Sequence, residues 1–132
     1  MRYLLDTDIC IYAINERPPQ VLAALREHHT LGIGVSAVTA AELHFGVART
    51  GSRRNAQALQ RFLATLHIAP FDAAAAEVSG ALRDWLARQG TPIGPYDTLI
   101  AAHAQALGII LVTNNTREFA RVPGLKLENW AA

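Results

Sequence analysis

The sequence is poor in the residues on which several common chemistries depend. Its 132 residues include one cysteine, Cys10, so no internal disulfide can form and nothing points to an oxidising compartment. There is one lysine, Lys126, against eleven arginines, so a catalytic cluster that needs a lysine has only this late one to draw on. The five histidines are scattered, with neither an H-x-x-x-H pair nor a His–Cys ligand spacing, which argues against a zinc site. Walker A, G-x-G-x-x-G and G-x-S-x-G patterns are missing. No apolar run approaches the ~20 residues that span a bilayer, and Asp6 and Asp8 interrupt the N-terminal stretch where a signal sequence would be apolar. A soluble, cytoplasmic protein with no membrane partner is expected.

What the chain has is apolar mass. Hydrophobic residues make up 51% and charged residues 17%, with a mean hydropathy of +0.14, a balance that excludes disorder and allows a sizeable core. The length suits one domain, residues 1–132. A net charge of +1 makes it no general polyanion binder, so nucleic-acid contacts would have to come from local clusters.

Short apolar runs at residues 3–5, 31–35, 67–71, 109–113 and 125–127 alternate with segments of helical period at 8–14, 18–28, 39–49, 53–66, 72–89, 95–107 and 116–119. This alternation predicts an α/β layer sandwich around a mostly parallel sheet. In such sheets the functional crevice lies beyond the carboxyl ends of the strands. Asp6 follows the first run, Glu42 the second, Asn115 the fourth, and Asp97 opens the helix at Gly94-Pro95. Their convergence would line a site with oxygen, suited to a hard cation such as Mg²⁺. Each also has a plain structural explanation. Thr39 to Glu42 and Asn115 to Glu118 have capping-box spacing, Asp97 would complement a helix dipole, and Asp8 could cap the first helix. Asp6 tips the balance, because it ends an apolar strand where a cap is not obviously needed.

Arg49, Arg53, Arg54 and Arg61 fall within thirteen residues that contain no acid. They form either a solvated helix face or a grip for phosphates, and the residues alone leave both open. His103, six residues after Asp97, is expected to be structural, and Cys10 to pack between isoleucines.

Four segments carry a family likeness: Leu4-Leu5-Asp6-Thr7-Asp8, the run from Val35 to Leu43 that contains Glu42, Gly94-Pro95-Tyr96-Asp97, and Leu111-Val112-Thr113-Asn114-Asn115-Thr116-Arg117-Glu118-Phe119. Together with the terminal stretch to Trp130, they resemble PIN-domain ribonucleases, and more closely the VapC toxins of bacterial toxin–antitoxin pairs. Within these, the Gly94 and Asn115 segments look most like the subgroup that cuts initiator tRNA.

The resemblance implies a PIN-like three-layer α/β/α sandwich and a metal-dependent endoribonuclease acting on tRNA, in the anticodon region, to inhibit translation. It makes Asp6, Glu42 and Asp97 the acidic triad around Mg²⁺ or Mn²⁺, with Asp6 and Asp97 the principal ligands. Asn115 then stands where the family often has an acid. Asp8, Thr7 and Thr113 become supporting residues that orient carboxylates or meet phosphate. Arg49, Arg53 and Arg54 become the candidates for RNA binding. A VapB-type antitoxin and a homodimer are the implied partners, the latter through apolar faces such as residues 21–25 and 56–66.

Two alternatives are set against this. An aspartate-based phosphatase would also present Asp6-x-Asp8, but its D-x-D-x-[TV] pattern fails at Cys10, and it needs a lysine. A catalytically silent PIN-like binding module is the other.

Overall fold

Tyr3, Leu4 and Leu5 are all buried, and their side chains alternate between two faces as a strand requires. Tyr3 and Leu5 enter one core with Ile9, Val35, Leu59 and Trp130, whereas Leu4 enters the other with Leu86, Ile100, Leu111 and Phe119. A strand buried on both sides belongs at the centre of a sheet, and the computed structural model, which describes residues 1–132, places it there.

Five strands, β1 (Tyr3–Leu5), β2 (Ile33–Ser36), β3 (His67–Ala69), β4 (Ile110–Val112) and β5 (Leu127–Glu128), form one parallel sheet in the order β3-β2-β1-β4-β5. Leu5 pairs with Val35 on one side and Val112 on the other. Seven helices complete the α/β/α layers: α1 (Thr7–Asn15), α2 (Pro19–His28), α3 (Ala37–Thr50), α4 (Arg53–Ala64), α5 (Ala73–Arg88), α6 (Pro95–Leu107) and α7 (Thr116–Phe119). Helices α1, α2, α3 and α4 supply the core on one face, and α5, α6 and α7 that on the other. None is long and apolar enough to cross a membrane.

The predicted alternation holds, but several boundaries move for identifiable reasons. Residues 29–31 form a single 3₁₀ turn, and Gly32 at φ 87° bends the chain before β2 starts. Pro70 has no N–H to continue a ladder, so β3 stops at Ala69. At the start of β4, Ile109 N–H is held by the Ala104 carbonyl, closing α6 over the left-handed Gly108.

The expected caps also shift. Asp6, not Asp8, caps α1: its Oδ1 accepts the Ile9 N–H at 2.9 Å, because the chain turns from β1 into the helix with no linker. The inference that Asp6 needs no capping role is therefore wrong. Ser36, not Thr39, caps α3, which puts Glu42 in the second turn. Thr39 is buried inside that helix and its hydroxyl finds no partner.

The apolar faces read as possible pairing surfaces are used internally. Val21, Leu59 and Leu63 are buried, and Ala24, Leu25, Phe62 and Leu66 pack against the same core. Cys10 is fully buried there too. His103 is buried, with Nδ1 2.8 Å from Ser36 Oγ and its ring edge-on to Phe71. Burial lowers its pKa.

Candidate active site

The chain runs from β1 to β2 and β3 on one side, then crosses to β4 on the other. That reversal opens a crevice between the carboxyl ends of β1 and β4, where ligands of open α/β sheets bind. Asp6 stands directly at this point, its N–H bonded to the Val112 carbonyl of β4 at 2.9 Å. The side chain is 4% exposed, its Oδ1 accepts the Ile9 N–H, and the Thr113 hydroxyl beyond β4 also favours its charged form. Burial pushes its pKa up to about 6, the charges of Asp8 and Glu42 add to the rise, and the two hydrogen bonds oppose it.

Glu42 approaches from α3 and accepts the Thr7 hydroxyl at 2.7 Å. Asp97 approaches from the first turn of α6, where Pro95 holds the N1 position after the extended Gly94. Its pKa rises to about 7. Burial is the main cause, followed by the charges of Glu118, Asp6 and Glu42 and by a hydrogen bond with Glu118.

Glu118 is the site residue that sequence reasoning overlooked. Its spacing from Asn115 suggests a capping box, yet Asn115 makes no side-chain bond to the helix backbone. Instead Asn115 Nδ2 donates to Glu118 Oε2, and Gly94 N–H donates to Oε1 at 3.0 Å. Glu118 thus ties α7 to the loop that opens α6, beside Asp97. The signal available in the sequence was an acid in the segment after β4, where Asn115 drew attention first. In a Glu118→Gln variant the Asp97 titration midpoint should fall from about 7, while burial keeps it above the usual carboxylate range. Carboxyl ¹³C NMR would read this, and an unmoved midpoint would refute the coupling.

The remaining candidates fall into two groups. Thr7 holds Glu42, Thr113 bridges Asp6 and the Asn115 N–H, and Asp8 is exposed but close enough for its charge to act on Asp6. None of the arginines forms a salt bridge with a site carboxylate. Arg49 ends α3 with its guanidinium 5.8 Å from the centre of the Phe45 ring, while Arg53 and Arg54 open α4, so they do not share one helix. All three are exposed.

The donor set decides whether a cation suits the site. Asp6, Glu42, Asp97 and Glu118 offer oxygen of one charge sign, and none is ion-paired; the molecule's one salt bridge joins Arg88 to Asp84 on the outer face of α5, at 2.9 Å. No three His, Cys, Asp or Glu side chains close tightly enough to enclose an ion by themselves. Mg²⁺ asks for no such cage, since it takes one or two carboxylates and keeps several waters.

Comparison with known proteins agrees with this geometry. Residues 3–125 match the family described as "PIN domain". The chain is a PIN-domain protein. Among similar PIN-domain proteins, it is 43% identical over 135 residues to the tRNA(fMet)-specific endonuclease VapC of Shigella flexneri, covering 99% of each chain. It is 43% identical to Ribonuclease VapC2 of Rickettsia felis, covering 98% of each. Its fold superimposes with a TM-score of 0.91 on a chain of VapBC2 from Rickettsia felis bound to a DNA fragment from their promoter, at 42% identity and covering 98% of this chain and 99% of that one. The PIN-like α/β/α architecture and the assignment to the nuclease hydrolases follow from these likenesses.

Proposed function

We propose that this PIN-domain protein is the toxin of a toxin–antitoxin pair, a Mg²⁺- or Mn²⁺-dependent endoribonuclease that cuts tRNA, with initiator tRNA the expected target. The observation that carries the reading is the gathering of Asp6, Glu42, Asp97 and Glu118 at the carboxyl edge of the sheet with no protein cation to balance them. Relatives named for tRNA(fMet) cleavage support the substrate, and the likeness to chains of VapBC assemblies supports a VapB-type antitoxin.

Asp6 and Asp97 would hold the ion, with Glu42 reaching it directly or through water. When bound, the ion would supply an activated water and offset charge on the phosphoryl oxygens. The chain's own residues prepare for that step. Thr113 and the Ile9 N–H fix Asp6, and Thr7 fixes Glu42, so neither carboxylate has to reorganise. A cation beside Asp97 would favour its ionised form against the burial and neighbouring charges that raise its pKa. Asn115 holds Glu118 in place rather than adding a further charge. Arg49, Arg53 and Arg54 are exposed and form no salt bridge with the acids, so they can be offered to RNA phosphates.

The test is cleavage of bulk tRNA by the purified protein with Mg²⁺, Mn²⁺ or EDTA, with the new 5′-phosphate ends sequenced. Cuts confined to initiator tRNA and abolished by EDTA are expected. Intact RNA under every condition, or cleavage indifferent to EDTA, would overturn the reading.

A further inference from the structure

Phe45 and Tyr96 are the most exposed large hydrophobic side chains in the molecule, at 64% and 58%. Packing explains neither, and both stand beside site carboxylates. Phe45 lies one helical turn beyond Glu42 on α3, and Tyr96 precedes Asp97 on α6. They line the same groove, of about 540 Å³, together with Thr7, Glu42, Ala41 and Leu99. The groove is thus continuous with the candidate active site through Thr7 and Glu42. Its volume lies in the ~300–1,000 Å³ range of small-ligand sites. Arg49 covers one face of the Phe45 ring, adding a positive charge beside an otherwise apolar wall.

Resting on the ribonuclease reading above, we infer that Phe45 and Tyr96 form a stacking subsite that holds the unpaired bases flanking the bond to be cut. The combination suits single-stranded RNA. Aromatic faces accept any base, a nearby guanidinium meets the backbone phosphate, and the groove leads to the carboxylates rather than away from them. A second copy of the chain is the rival occupant. Closing this groove against another protein would cover the wall that Glu42 and Thr7 present to substrate, so the continuity favours RNA.

The experiment compares wild type with Phe45→Ala, Tyr96→Ala and Tyr96→Phe on a short single-stranded oligoribonucleotide spanning the mapped cut, and on the same strand with abasic ribose on either side of that cut. Light scattering gives the mass of each variant. Both alanine variants should raise KM about 5- to 100-fold, as loss of one base–aromatic stack would, with kcat changed far less. Tyr96→Phe should keep the wild-type KM. On the abasic strand, wild type should show the same rise and the alanine variants little further loss. An unchanged KM in both alanine variants overturns the subsite while leaving the ribonuclease reading intact. A halved mass in those variants overturns it in favour of a contact between copies. No cleavage by wild type at all removes the ribonuclease reading, and the subsite with it.

Discussion

Replacing Asp6 or Asp97 by asparagine should reduce metal-dependent RNA cleavage by on the order of 10³-fold or more while leaving the fold intact. A bound ion stabilises the transition state by several kcal/mol, and each 1.4 kcal/mol lost is about tenfold in rate. The two substitutions are unusually clean. Asparagine caps helices as well as aspartate does, so the bond from Ile9 N–H to Oδ1 survives in Asp6→Asn. In Asp97→Asn the amide can donate to Glu118 and relieves the like-charge contact between them. Both remove a charge that burial and neighbouring acids disfavour. The metal-free variants should therefore melt no lower than wild type. Cleavage within tenfold of wild type for either would refute its role, and a large drop in Tm would assign the loss to folding instead.

The metal-free protein should lose stability as pH rises from about 4 to 8, and Mg²⁺ should restore it only at the upper end. In the folded chain Asp6 titrates at about 6 and Asp97 at about 7, both raised from 3.8. Between those limits the native state holds protons that the unfolded chain has released. Stability from these groups is thus fully present below about 4 and lost as pH climbs through 6 to 7. His103 works the other way, since its lowered pKa costs stability as pH falls below the usual histidine range. The comparison that isolates the acid is wild type against Asp6→Asn. Their stability difference should be near zero at pH 4 and reach about 1–3 kcal/mol in favour of the variant at pH 8. Because protons and cations compete for the same oxygens, Mg²⁺ should raise the wild-type Tm at pH 8, hardly at pH 5, and scarcely at all in the variant. A stability difference that does not change with pH would refute the raised pKa of Asp6.

Much of this arrangement is legible in the residues because strand ends and helix starts carry local signals. Tyr3-Leu4-Leu5 ending at Asp6, Gly94-Pro95 ahead of Asp97, and Asp72 ahead of α5 each announce a boundary within a few positions, and the parallel sheet follows from their alternation. What escapes is whatever depends on partners distant in the chain. Glu118 looks self-sufficient beside Asn115, and nothing nearby shows that Gly94, twenty-four positions earlier, will bond to it. Thr39 has the better capping-box spacing, yet Ser36 takes the cap, since β2 runs straight into α3. Phe45 and Tyr96 carry no local signal of their exposure, and only the assembled fold shows these two turned outward.

The sheet order also sets when the carboxylate cluster can exist at all. Of the five strands, the one synthesised first is the central one, and one of its two neighbours is β4, with Tyr3 opposite Ile110. Until that late partner has been synthesised, Asp6 lacks the Val112 carbonyl that anchors its backbone and the Thr113 hydroxyl that holds its side chain, and Glu118 has yet to be made. On the ribonuclease reading, the four carboxylates cannot gather until that segment has been made. A partner that binds as β4 and α7 dock would meet the site as it forms rather than after it is complete.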